Sequence, residues 1–304
     1  MTENCVLTIG KFEGLHLGHQ ALIQKTVHHA NLLGISSAIM IFSPHPNIYF
    51  GDTGYKPLFT ADEHAHILDS MGINHAFAYP FDEKLTNLLP KDFCNIIFTD
   101  FKAKMVIVGE NFRFGKNRIG DIAFLKSEAA SYNANIQALP DITANETKIS
   151  TSQIRNFLAN TKLKEACLQL GFPFFIMGTI AKGKQLGRTI GFPTLNIYPP
   201  EDKFLPLDGV YATHTTINGI KYRSITNIGL RPTVDSTTKI RSVETHLLNY
   251  NGNGLYDKHC KVELLKFIRP EYRFNSLDEL KAQIEKDIRS VLSNNNLSAQ
   301  YSHH

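Results

Sequence analysis

Cysteine is scarce in this chain, with 4 in 304 residues. Cys5, Cys94, Cys167 and Cys260 are scattered and form no C-x-x-C pair. That spacing argues against a disulfide framework or a zinc finger, and for reduced, buried thiols in a cytoplasmic protein. Long apolar runs are missing too, and no signal peptide opens the chain, so neither membrane insertion nor secretion is expected. Charge of one sign is also in short supply. A formal net charge of +4 is too weak to argue for nucleic acid, although it suits anionic small substrates. There is no internal repeat and no low-complexity tract, and a monomer is the default expectation.

What is present is the composition of an ordinary globular protein, 42% hydrophobic and 20% charged. Its length suggests about two domains, and the pattern changes accordingly along the chain. In the first half, strand-like and helix-like segments alternate. CVLTI, SSAIMIF, NHAFAYP, AKMVIVG and NIQALP read as strands. GHQALIQKTVHHANLLG, with Gly34 as its stop, ADEHAHILDSMG, PKDFCNIIFTDF and GDIAFLKSEAASYN read as helices between them. Repeated β-α units imply a parallel, doubly wound sheet whose ligands bind at the carboxyl ends of the strands.

After two short helical patterns, STSQIRNFL and KLKEACLQL, the grammar becomes that of short antiparallel strands. FFIMGTIAKG, DGVYATHTTINGIKYRSITNIG, RSVETHLLN and HCKVELLKFI alternate polar and apolar residues, and I-N-G-I is a hairpin signal. The expectation is a small antiparallel β-barrel domain, closed by a C-terminal helix from about Ser276 to Val291 with Asp278 and Glu279 in its first turn. We place the domains at 1–160 and 172–292. The polar tail NNNLSAQYSHH, ending in His303 and His304, stays outside the fold reasoning.

Two stretches of the first half carry chemistry. GKFEGLHLGHQ sets His16 and His19 on one side of the start of a helix, with Gly18 between them. A helix start offers free N–H groups and partial positive charge, so the pair could steady a polyphosphate. A polar turn with capping histidines is the plainer reading of H-x-G-H alone, while a zinc site would need ligands that are not nearby. In ISTSQIR, the hydroxyls of Ser150, Thr151 and Ser152 open a helix and Arg155 follows one turn later. This is a second anion grip, or simply a cap.

In the second half, GTIAKGKQLGRTIGFPTLN supplies Gly183, Gly187 and Arg188, suited to phosphate, though a flexible hairpin has the same composition. Thr194 and Asn196 alternate along an extended segment and so share a face, where their oxygens could hold Mg²⁺. Glu244 in SVETHLL could accept a proton from an alcohol, although an isolated strand glutamate is more often solvent-facing.

Taken together, H-x-G-H and the x-x-R turn resemble the nucleotidyltransferase superfamily. IGKFEGLHLGHQALI, FSPHP, VGENFRFGKNRIGD and ISTSQIR resemble, in order, the FMN adenylyltransferase module of bacterial bifunctional FAD synthetase. GTIAKGKQLGRTIGFPTLNI, LDGVYA, NIGLRPTV, VETHLLNY and FIRPEYRFNSLDELKAQIEKDI resemble its riboflavin kinase module. The resemblance implies phosphorylation of riboflavin to FMN, then adenylylation of FMN to FAD, with ATP as co-substrate and Mg²⁺ as cofactor. It implies that His16 and His19 meet the ATP phosphates and that Ser150, Thr151 and Arg155 hold the triphosphate. Asn111 and Phe112 would then shape the flavin pocket, Thr194 and Asn196 would bind Mg²⁺-ATP, and Glu244 would be the base. Arg231 would border the flavin or phosphate site. The chain departs from the family pattern at Lys11 and Glu13, where N-F-D-G is usual, and at Gln153 and Leu195. Two alternatives stay open: a kinase whose adenylyltransferase half is weakened by Lys11, Glu13 and Gln153, or a non-catalytic flavin- or nucleotide-binding regulator.

Overall fold

A computed structural model describes residues 3–144, 147–183, 186–232, 239–250, 252 and 254–293. The chain forms two compact units: Met1–Pro57 with His64–Ser150, and Leu58–Glu63 with Thr151–His304.

The elements of the first unit are β1 (Cys5–Gly10), α1 (Leu17–Leu33), β2 (Ser36–Ser43), α2 (Pro46–Tyr49), α3 (Ala61–Ser70, its first three residues counted with the second unit), β3 (His75–Pro80), α4 (Glu83–Thr86) and α5 (Pro90–Asn95). β4 (Ala103–Gly109), α6 (Ile122–Ala130), β5 (Asn135–Leu139) and the two-residue strands β6 (Thr143–Ala144) and β7 (Thr147–Lys148) complete it. The main sheet has the order β3-β2-β1-β4-β5 and is parallel throughout, as the alternating grammar predicts. Its central strands are apolar on both faces because both are covered. Leu7, Ile9, Val106 and Val108 join one core, while Val6 and Ile107 pack with Ala30 of α1 on the other side.

α1 stops at Gly34, whose φ of 64° lets its N–H turn back to the carbonyl oxygens of Ala30 and Asn31. The helix expected over PKDFCNIIFTDF is not uniform. After α5 the chain widens into a π-turn at Ile96–Asp100, closed by Phe101 N–H donating to the Ile96 oxygen, and Ile97, Phe98 and Phe101 enter the core. The short helices α2 and α4 give no periodic signal in the sequence. Each is set by a capping side chain: His45 accepts from Asn47 N–H, and Asp82 from Leu85 N–H.

The second unit opens with α7 (Thr151–Ala159) and α8 (Leu163–Leu170), followed by β8 (Phe175–Thr179), α9 (Leu186–Thr189) and β9 (Leu195–Ile197). Four long strands, β10 (Gly209–Ile217), β11 (Ile220–Pro232), β12 (Lys239–Leu247) and β13 (His259–Arg269), precede α10 (Leu277–Ser293). The sheet runs β8-β13-β10-β11-β12-β9, antiparallel throughout. It nearly closes: Ala181 N–H donates to the Asn196 oxygen, and Gly178 lies so near Ile197 that a Cβ would sit 2.4 Å from its Cγ2.

The expected I-N-G-I turn joins β10 to β11, with Asn218 and Gly219 at φ of 50° and 79°. Inside the barrel the hydroxyls of Thr215, Ser224, Thr213, Thr226 and Thr245 hydrogen-bond in a buried row at 2.7–2.9 Å. α10 packs against the outer face, where Val291 meets Val210, Ala212 and Ile225, and buried Asp287 pairs with Arg269 at 2.9 Å.

Candidate active sites

In the first unit, chemistry gathers where β1 turns into α1. Phe12 and Leu15 both adopt φ above 40°, a region that residues with a β-carbon avoid. Burial holds them there, since both side chains are fully enclosed. The Phe12 ring lies against His19 at 5.2 Å, and the Phe12 carbonyl oxygen is 2.8 Å from Nε2 of His64. The turn delivers His16 to the N-cap position of α1, where its Nδ1 accepts from the His19 N–H. The two imidazoles stack at 3.8 Å.

Gly18 does specific work here, because a Cβ at that position would lie 3.2 Å from the His16 ring. Burial pushes the His16 imidazole down to about 4, and the nearby charge of Lys148 acts in the same direction. His19 is held well below its ordinary value, first by burial and then by His16 and His64. Both rings are therefore neutral near pH 7, ready to meet an anion as hydrogen-bonding groups.

Beside this turn lies a cavity of about 730 Å³, walled by phenylalanines that include Phe42, Phe50, Phe81 and Phe112. The sequence-selected Asn111 and Phe112 both line it. Asn111 donates to Asp141 at 2.7 Å, and Asp141 also pairs with Lys148 at 2.6 Å, so its amide is firmly oriented. Phe112 stacks on Phe114 at 5.5 Å.

Ser150 is the last residue of the first unit, and Thr151, Ser152 and Arg155 lie in α7 of the second. There the Arg155 guanidinium sits 5.3 Å over the Phe204 ring. Gln153 accepts from the Gln169 amide at 2.5 Å, which gives this departure from the family pattern a packing partner.

In the second unit the register of three strands builds the site. Asn196 of β9 stands opposite Glu244 of β12, and Glu244 stands opposite Asn227 of β11, so the three share one face. That face lines a cavity of about 400 Å³, which Thr194, Gly187, Glu271, Arg269 and Asp287 also line. Leu195 pairs with Thr245, on the opposite face from Asn196 and Glu244. The expected glycines act by leaving room. A Cβ on Gly183 would lie 2.4 Å from the Asn196 amide nitrogen, and one on Gly187 would lie 2.3 Å from the Phe192 oxygen. The side chains of Arg188 and Arg231 lie outside the described residues.

Comparison with known proteins matches the chain in two parts. The family model for FAD synthetase matches residues 1–153, and that for riboflavin kinase matches residues 170–294. The bifunctional riboflavin kinase/FMN adenylyltransferase of Escherichia coli K12 is 36% identical over 94% of this chain and 91% of its own length. That of Bacillus subtilis is 33% identical over 94% and 91%. The chain belongs to the bifunctional riboflavin kinase/FMN adenylyltransferase family.

A crystal structure described as a macrolide-efflux protein from Streptococcus pneumoniae covers 96% of this chain and 95% of its own, with a TM-score of 0.84 and 25% identity. No described helix of the present chain is long and apolar enough to cross a membrane.

Within this family member, sequence reasoning missed two residues of the kinase-side cavity, Asn227 and His246. Asn227 completes the row with Asn196 and Glu244, and it donates to Glu271 at 2.8 Å. His246, one step along the same face of β12, has Nδ1 2.8 Å from the Pro193 oxygen and so braces the segment that carries Thr194. A polar residue inside a long strand was the available signal for Asn227. The partner that orients His246 is visible only once β9 is docked on β12.

Proposed function

We propose that the second unit phosphorylates riboflavin with ATP, and that the first joins the resulting FMN to the AMP part of a second ATP, releasing pyrophosphate and making FAD. The observation that carries this reading is the register that sets Asn196 opposite Glu244 in an open cavity. An acceptor of protons and a neutral oxygen ligand then flank one space, as phosphoryl transfer to an alcohol requires.

In the kinase reaction Glu244 takes the proton of the riboflavin 5′-hydroxyl as that oxygen bonds to the γ-phosphorus. The bond from the γ-phosphorus to the bridging oxygen breaks, and ADP leaves. Gly183, Gly187 and Arg188 line the phosphates, and Arg231 borders the flavin. The donors present suit Mg²⁺, because the Thr194 hydroxyl and Asn196 amide are hard, neutral oxygens and Gly183 leaves the amide the space a Cβ would fill. Mg²⁺, when bound, would neutralise charge on the β- and γ-phosphates.

In the adenylyl transfer an oxygen of the FMN phosphate bonds to the α-phosphorus of ATP, and pyrophosphate departs. His16 and His19 steady the charge on the phosphates, with Gly18 clearing the way. Ser150, Thr151, Ser152 and Arg155 hold the triphosphate, and Asn111 and Phe112 position the flavin. Both steps are direct transfers that depend on positioning and charge stabilisation, with no covalent enzyme intermediate.

We assign the two activities to domains at 1–160 and 172–292. We also take the protein to be a cytoplasmic monomer that acts on riboflavin, FMN and ATP and on neither nucleic acid nor membrane. The test is to incubate the protein with riboflavin and Mg²⁺-ATP and to resolve the flavins by chromatography. Successive appearance of FMN and FAD is expected. FMN alone would limit the reading to the kinase, and unchanged riboflavin would overturn it.

A further inference from the structure

The cavity of the first unit has aromatic walls, and no carboxylate is among its lining residues. Three cations reach it: Lys11, Arg113 and Arg118. Arg113 is committed to Asp121 at 3.1 Å. The side chains of Lys11 and Arg118 have no hydrogen-bond or ion-pair partner among the described residues, the one contact of Arg118 being its backbone N–H to the Gly115 oxygen. An exposed ammonium at the rim of an apolar cavity is solvated when the cavity is empty and is available to a ligand's negative charge.

Lys11 also occupies a fixed place. It follows Gly10 at the carboxyl end of β1 and precedes Phe12, whose left-handed backbone is clamped by its buried ring and by His64. The same turn leads directly into His16, the N-cap of α1. Lys11 is thus carried by the turn that joins the aromatic cavity to the phosphate-facing histidines. In adenylyl transfer one anionic phosphate must attack another, and each repels the other. An ammonium group at that junction offsets the repulsion and contributes nothing to a flavin without a phosphate.

We propose that Lys11 is a specificity-determining residue of the adenylyltransferase: its ammonium group pairs with the 5′-phosphate of the flavin substrate and makes the first unit select FMN over riboflavin. This rests on the reading of the 730 Å³ cavity as the flavin site.

The test uses the full-length protein, with FMN-to-FAD initial rates measured while FMN and Mg²⁺-ATP are each varied. Loss of one charge-assisted contact predicts that Lys11→Gln raises KM for FMN roughly 10- to 100-fold. KM for ATP should stay within about twofold, and Lys11→Arg should restore most of the FMN affinity. In a Glu244→Gln background, where riboflavin is consumed too slowly to matter over an initial-rate measurement, riboflavin inhibition of FAD synthesis should be the same with Lys11 or Gln at this position. An unchanged KM for FMN, an effect on ATP instead, or equal weakening of riboflavin and FMN would each overturn the proposal.

A Thr86→Trp variant, which puts an indole into the cavity from its wall and obstructs a flavin there, separates this failure from failure of the underlying reading. Normal FMN affinity in Thr86→Trp would show that the flavin binds elsewhere, and both would fall. Blocked FAD synthesis in Thr86→Trp with an unaffected Lys11→Gln would remove only the role of Lys11.

Discussion

His16 illustrates how much a single residue owes to its surroundings. Free in solution its imidazole would titrate near 6.5, and enclosed at the start of α1 it titrates at about 4. The folded value is the lower one, so the unfolded chain takes up the proton first as the solution is acidified. The stability associated with a neutral His16 is complete above pH 6.5 and is lost as pH falls towards 4. The loss amounts to about 3 kcal/mol at the lower limit. His19 and His64, also held below their ordinary values by burial, act in the same sense. In His16→Asn the cap is preserved and the titrating group is gone, so its unfolding free energy should fall by about 3 kcal/mol less between pH 7 and pH 4 than that of the parent. Denaturant titrations at the two pH values measure this, and parallel losses in both proteins would contradict it.

At the scale of elements, two local arrangements carry separate predictions. The first is the approach of the glycine-rich segment to β9, where Gly183 leaves only enough room for the Asn196 amide. Gly183→Ala should displace that amide and lower riboflavin phosphorylation by about 10²-fold, the usual cost of a misplacement near 1 Å in a reacting constellation. FMN-to-FAD conversion should proceed normally. Steady-state assays of each half-reaction distinguish this from general misfolding, which would reduce both.

The second arrangement is the buried ion pair of the second unit. Lys203 Nζ lies 2.6 Å from Glu63 and 2.7 Å from the Leu58 oxygen, and both charged side chains are fully enclosed. Glu63 also takes the N–H groups of Met177 and Thr60, which closes a reciprocal cap at the start of α3. Lys203→Met leaves the carboxylate buried without its counter-ion and should destabilise the unit by about 3–5 kcal/mol. Adding Glu63→Gln should recover part of the lost melting temperature. A single variant that melts like the parent would show that the pair contributes little.

For the whole molecule, the question is whether the two chemistries can be separated. Glu244→Gln removes the carboxylate proposed as the proton acceptor of the kinase and should lower FMN formation by about 10²–10⁴-fold while FMN-to-FAD conversion continues. His19→Ala should do the reverse, stopping FAD synthesis and sparing riboflavin phosphorylation. Chromatography of the flavins formed from riboflavin, and separately from FMN, reads both variants. If either substitution removed both activities, the two sites would not be independent.

The sequence determined the grammar of both halves. Period-two and helical apolar patterns set a parallel α/β unit before an antiparallel barrel, and Gly34, Asn218 and Gly219 marked turns that the backbone does take. Local motifs also placed His16, His19, Thr194, Asn196 and Glu244, because capping and strand alternation act within a few residues. What only the tertiary structure decided depends on contacts between distant segments. The row of Asn196, Glu244 and Asn227 exists through strand register, and the neutrality of the histidines comes from burial. The pairing of Glu63 with Lys203 joins residues 140 positions apart. Register, desolvation and long-range charge pairing are properties of packed surfaces, and no window of sequence contains them.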